Sequence, residues 1–76
     1  MEVIVYTKPG CVQCKSTTTM MDRRGVHYDL IDITDRPDLV EWLQSDGHKS
    51  LPVVVAGDPI APVAWEGFRP DLIAKL

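Results

Sequence analysis

Short apolar runs alternate along this chain with longer stretches in which apolar positions are spaced more widely. Val3-Ile4-Val5-Tyr6 is β-branched and aromatic and predicts a buried strand. Thr7-Lys8-Pro9-Gly10 breaks that run as a turn. A helix is expected from Cys11 to about Arg24, with Val12, Met20 and Met21 on its buried side and Gly25 at its end. Thr17-Thr18-Thr19 is its weak stretch, because β-branched side chains are poor helix formers. His27 to Ile33 alternates loosely and predicts a second strand. Thr34 or Asp35 is the expected cap of a second helix, with Pro37 in its first turn and Gly47 at its end. Leu39, Val40 and Leu43 form its apolar stripe, and Trp42 is expected on the same buried side. Pro52-Val53-Val54-Val55 predicts a third strand, Gly57-Asp58-Pro59 a turn, and Pro62 to Trp65 a fourth strand at an edge, where proline is tolerated. Pro70 opens a last short helix over 71–76.

The resulting order, β-α-β-α-β-β-α, places the chain in the α/β class. The first β-α-β unit is expected to be parallel and right-handed. The last two strands are joined by too short a loop for a helical crossover, so they are expected to be antiparallel. A mixed four-stranded sheet with three helices follows. With 76 residues and no repeat, low-complexity tract or linker, one domain over 1–76 is the expected organisation.

Composition narrows the function classes. The apolar share is 45%, which suits a globular chain and not a disordered one. Net charge is -3 with no basic run, which argues against a nucleic-acid partner. No apolar stretch approaches the roughly 20 residues that span a bilayer. The opening residues, Met1 to Tyr6, read as a strand rather than a leader, so the cytoplasm is the expected compartment. There a cysteine pair is more often catalytic or metal-binding than a structural bridge.

That pair is Cys11-Val12-Gln13-Cys14, placed after a strand and a turn and at the start of a helix. A helix N-terminus carries unpaired N–H groups and about half a positive charge, which favour a thiolate. Cys11, at the start, is expected to be the more exposed and more acidic sulfur and to attack a substrate disulfide. Cys14, one turn on, is expected to resolve the mixed disulfide, so the chain carries its own redox-active disulfide and needs no other cofactor. A zinc site would need four ligands. The remaining candidates, His27 and His48, lie far apart without metal-type spacing, so no metal is expected. Lys8 is positioned to lower the Cys11 pKa or to meet an anionic partner, or else is simply a solvated lysine.

The second unusual stretch is Trp65-Glu66-Gly67-Phe68-Arg69-Pro70-Asp71. On packing grounds Phe68 is expected in the core and Gly67 in a turn conformation. Arg69 can make a charge-assisted bridge to a carboxylate or to backbone carbonyls.

Thr7-Lys8-Pro9-Gly10-Cys11-Val12-Gln13-Cys14 at one end, Trp65 to Asp71 at the other, and Pro52-Val53-Val54-Val55-Ala56-Gly57 between them together resemble the NrdH-redoxin family. The likeness covers essentially the whole chain. It implies a glutaredoxin-like variant of the thioredoxin fold and thioredoxin-like behaviour. Electrons would come from NADPH through thioredoxin reductase and pass to the large subunit of a class Ib ribonucleotide reductase, with the redoxin acting as a monomer. Carried over by position, Cys11 is the nucleophile and Cys14 the resolving thiol, with Thr7, Lys8, Pro9, Val12, Gln13 and Leu51 supporting them. Pro52 matches a cis proline. Trp65, Gly67, Phe68, Arg69, Pro70 and Asp71 match a segment that braces the site and takes the place of glutathione-contacting residues. Trp65 and its apolar neighbours are then expected to offer a docking surface to a protein reductase. The chain departs from the family at two places. The stretch from Asp58 to Trp65 is longer than usual and is expected at a hairpin tip away from Cys11. Leu51 is bulkier than the usual residue before that proline. The alternative readings are a glutathione-dependent glutaredoxin, against which Glu66 would repel a carboxylate, and a zinc-binding or redox-sensing module.

Overall fold

The computed structural model describes residues 2–48, 50–57, 60 and 62–76. Its elements are β1 (Glu2–Thr7), α1 (Val12–Arg23), β2 (Asp29–Asp32), α2 (Pro37–Ser45), β3 (Val53–Gly57), β4 (Val63–Glu66) and α3 (Pro70–Ile73). The sheet order is β2-β1-β3-β4. β1 pairs parallel with β2 and antiparallel with β3, and β3 pairs antiparallel with β4. This is the mixed four-stranded sheet that the element order predicts.

The period-2 alternation of the strands divides the core between two faces. Val3, Val5, Val54, Ala56 and Trp65 point to one face, where Met21 of α1 and Ile73 of α3 cover them. Tyr6 and Val53 point to the other, where Leu43 of α2 and Ile33, just after β2, close over them. Two helices on one face and one on the other bury both sides of β1 and β3, whose valines read as near-continuous apolar runs for that reason.

The threonine run does not interrupt α1. Thr17, fully buried, donates its hydroxyl to the Gln13 carbonyl at 2.8 Å, and Thr18 donates to the Cys14 carbonyl at 3.2 Å. Bonding back one turn satisfies the hydroxyl in a helix interior.

Several local expectations need correction. Val12 is 78% exposed, because α1 turns Cys14, Thr17 and Met21 inward and leaves the position after Cys11 facing solvent. Neither Thr34 nor Asp35 caps α2. Asp32 accepts the Thr34 N–H at 2.8 Å, and Arg36 occupies the cap without a side-chain bond to the backbone. The pattern Arg36-Pro37-Asp38 recurs as Arg69-Pro70-Asp71 at the start of α3, with the arginine as cap in nearly the same backbone conformation. In both, proline supplies the first helical residue, and the arginine pairs with the aspartate in the first turn. Trp42 is about half exposed, although its ring meets Tyr6 edge-on at 5.6 Å. β2 begins at Asp29 rather than His27, and α3 ends at Ile73.

The register also fixes which end of the sheet is which. Glu2 pairs with Gly57 at one end, and Tyr6 pairs with Val53 at the other. The strand ends at Gly57 and Val63 therefore lie at the end of the sheet away from Cys11, while Asp58, Pro59 and Ala61 of the insert expected at the hairpin tip lie outside the described residues. Among the described residues no helix is long and apolar enough to cross a membrane.

Candidate functional site

The end of β1, the start of α1 and the start of β3 meet at one edge of the sheet. β1 delivers Thr7 there, and the turn over Lys8, Pro9 and Gly10 brings the chain to Cys11, the N-cap of α1. Cys11 adopts extended backbone angles, φ -87° and ψ 107°, so its side chain folds back over the first helical turn. The Cys14 N–H donates to the Cys11 sulfur at 3.1 Å. The two sulfurs are bonded as a disulfide, with the Cα atoms 5.2 Å apart. Cys11 is half-buried and Cys14 buried, which is the asymmetry the motif predicts.

β3 supplies the opposing wall. The pairing of Tyr6 with Val53 carries Leu51 and Pro52 to the level of Thr7. The Leu51–Pro52 peptide is cis, as the resemblance implies, and Pro52 is buried. The Leu51 carbonyl oxygen lies 3.7 Å from the Cys11 sulfur.

The segment after β4 closes the site from the other side. The Gly67 N–H donates to the Pro52 carbonyl at 2.9 Å, and the Phe68 N–H donates to Oε1 of Gln13 at 3.2 Å. Gln13, between the cysteines, thus ties the disulfide loop to the C-terminal segment. Gly67 sits at φ 78°, and a Cβ there would lie 3.0 Å from Gln13 Oε1. Both its backbone angle and its closeness to Gln13 call for glycine. Arg69 pairs with Asp71 through two bonds of 3.2 and 3.0 Å. That hydrogen bonding holds the Asp71 carboxyl below its ordinary range and lifts the Arg69 guanidinium above its own. Glu66 accepts the Ser50 N–H at 2.9 Å.

Two placements differ from the sequence reading. Trp65 is only 6% exposed and belongs to the core, so it offers no docking surface. Phe68 is 38% exposed and lies over α1, where with Val12, Met20, Lys15 and Arg23 it borders a shallow groove of about 460 Å³. The burial expected of the two rings is exchanged.

A second groove, about 390 Å³, runs beside Cys11 between Lys8, Lys15, Thr18 and Leu30. Lys15, Thr18 and Leu30 are not among the site residues that the sequence points to. Thr18 follows Cys14 by one helical turn, a spacing that does signal a shared face. Leu30 comes from β2, and only the parallel pairing with β1 brings it near. Among the described residues no three His, Cys, Asp or Glu side chains gather into a metal-binding set.

This geometry has a direct consequence for the reduced protein. The Cys14 N–H and the rest of the first turn of α1 favour charge on the Cys11 sulfur. Alkylation of Cys11 followed against pH should show a midpoint below the free-thiol value of about 8.5, with the buried Cys14 reacting much more slowly. A midpoint at or above that value would remove the electrostatic argument.

The matching family model is that of glutaredoxin, over residues 3–60. The glutaredoxin-like protein NrdH of Escherichia coli K12 is 41% identical over 76 residues, covering 100% of this chain and 89% of that one. The protein of the same name from Lactococcus lactis subsp. lactis is 35% identical over 74 residues, 97% of each chain. Among solved structures, that of the glutaredoxin-like protein NrdH-redoxin from Escherichia coli is similar with a TM-score of 0.91 at 41% identity, covering 100% of this chain and 95% of that one.

Proposed function

The chain belongs to the glutaredoxin family as one of its NrdH-type, glutaredoxin-like thiol–disulfide oxidoreductases, and from that premise we propose that it is a dithiol electron carrier reduced by thioredoxin reductase. Its acceptor in this reading is the large subunit of a class Ib ribonucleotide reductase, and a single copy of the chain is sufficient for the chemistry.

The Cys11 thiolate attacks one sulfur of the acceptor's disulfide, and the other sulfur leaves as a thiolate that takes up a proton. Cys14 then loses its proton and attacks Cys11, which releases the second acceptor thiol and closes the Cys11–Cys14 disulfide. Two electrons and two protons have moved to the acceptor. Thioredoxin reductase restores the dithiol by the same exchange in reverse, with NADPH as the electron source. Lys8, Pro9, Val12, Gln13 and Leu51 shape the approach to Cys11.

The observation that carries the choice of reductant is the state of the segment after β4. Glutathione brings two carboxylates, and each needs a cation or donors in place of lost water. In this chain Arg69 is already engaged by Asp71, and the same segment carries the Glu66 carboxylate. A protein reductase, by contrast, can dock on the α1 groove where Phe68, Val12 and Met20 stand with Lys15 and Arg23. The thioredoxin-like activity profile attributed to the Escherichia coli NrdH-redoxin supports the same choice.

The test is NADPH oxidation with an acceptor disulfide, coupled either to thioredoxin reductase or to glutathione with glutathione reductase. The reductase is expected to drive efficient turnover. One missing charge-assisted bond, worth about 1.5–3 kcal/mol, lowers binding tenfold or more, so glutathione should support weak turnover at most. Robust glutathione-driven turnover with an inert thioredoxin reductase would favour the glutathione-dependent glutaredoxin instead.

A further inference from the structure

The Cys11 sulfur lies between two opposed backbone dipoles. The Cys14 N–H, 3.1 Å away, favours negative charge on it. The Leu51 carbonyl oxygen, 3.7 Å away, favours an S–H donor and repels a thiolate. The helix itself fixes the first dipole. The second belongs to the stretch between α2 and β3, outside the strands and helices.

Glu66 supplies the hold. Its Oε2 accepts the Ser50 N–H at 2.9 Å, one residue before Leu51. Its Oε1 lies 3.6 Å from Nδ1 of His48, whose Nε2 is 3.2 Å from the Asp46 carboxylate. The backbone around Glu66 is anchored: Glu66 pairs with Val53 in the sheet and the next N–H, of Gly67, donates to the Pro52 carbonyl. The chain is thus tied to β4 on both sides of Leu51, by the Glu66 carboxylate before it and by the backbone hydrogen bond from Gly67 to Pro52 after it. The sequence reading gave Glu66 only the role of repelling an anionic ligand.

We propose that Glu66 is a positioning residue for the redox pair: it clamps Ser50 and Leu51 so that the Leu51 carbonyl stays against the Cys11 sulfur, and this restrains how readily Cys11 ionises. The proposal rests on Cys11 being the attacking thiol. Among the described residues, the other charged side chains beside Cys11 are Lys8 from the turn and Lys15 from α1, and Arg69 and Asp71 at the start of α3 neutralise each other.

The experiment compares Glu66→Ala, Glu66→Ser and Glu66→Gln in the reduced full chain. Alkylation against pH is resolved by mass spectrometry for each cysteine, and thermal unfolding is followed alongside. Alanine and serine are too short to reach Ser50, whereas glutamine keeps the acceptor oxygen and loses the charge. The Cys11 midpoint should fall by about half a unit or more in the alanine and serine variants as the carbonyl is released. It should stay near the parent value in Glu66→Gln. Serine is the second route should the alanine variant not fold. Equal shifts in the glutamine and alanine variants would overturn the proposal in favour of a direct effect of the lost charge. An unmoved midpoint in both short variants would overturn it outright. Faster labelling of Cys14 than of Cys11 would overturn the assignment of thiol roles on which it rests, and the position of the label tells that failure from the others.

Discussion

Cys14→Ser is expected to stop turnover with the acceptor still attached to Cys11. The first half of the exchange needs only the Cys11 thiolate, and the groups that favour that thiolate survive the substitution. The bond from residue 14 to the Cys11 sulfur comes from the backbone N–H, which serine also carries. Attack therefore proceeds, and the mixed disulfide accumulates because no second thiol stands 5.2 Å away between Cα atoms to displace it. Serine is close to cysteine in volume, so the buried position is not emptied, although its hydroxyl must find a partner there. Gel electrophoresis without reductant, followed by mass analysis, should show a one-to-one adduct that dithiothreitol dissolves. Cys11→Ser should instead lose disulfide reduction altogether, since a hydroxyl at the helix N-cap does not ionise at neutral pH. If Cys11→Ser accumulates the adduct and Cys14→Ser forms none, the two roles are reversed.

The asymmetry behind that expectation was legible in the sequence. A strand, a turn containing Pro9 and Gly10, and then a helix beginning at a cysteine leave only one arrangement of the two sulfurs, the first at the cap and the second one turn inward. The sheet was legible for a similar reason. The valines of β1 and β3 form runs without the polar alternation of an exposed strand, and such runs belong between two layers of helices. Caps and boundaries were less legible. Thr34 and Asp35 are good capping residues, but Asp32 takes the Thr34 N–H first, and the chain enters α2 through Arg36-Pro37. Contacts over long sequence separations were not legible at all. Gln13 and Phe68 lie 55 residues apart, and Glu66 and Ser50 lie 16 apart. Both bonds depend on the sheet register, which no local pattern specifies.

Trp65 and Phe68 show how that limit misplaces whole side chains, and their substitution should give opposite results. They lie three residues apart on either side of the Gly67 turn. β4 ends at Glu66, and strand alternation aims Trp65 at the layer formed by Val54, Met21 and Ile73. The Gly67 turn at φ 78° then redirects the chain, so Phe68 comes down on the outside of α1 rather than beneath it. Trp65→Ala should therefore cost about 3–5 kcal/mol. That approaches the entire stability expected at this chain length, so the variant should be largely unfolded at ambient temperature. Trp65→Phe should be far milder. It keeps most of the buried ring and removes an indole N–H that is buried without a partner among the described residues. Phe68→Ala gives up a partly exposed ring, for about 1 kcal/mol or less, and should melt close to the parent. Its effect should appear in function. Reduction by thioredoxin reductase should slow, whereas reduction by dithiothreitol, which needs no docking surface, should not. Circular-dichroism melts of the three variants check the stabilities, and the two reductants check the docking role. A Phe68→Ala melt that collapses while Trp65→Ala stays folded would return Phe68 to the core and Trp65 to the surface, against the placement seen here.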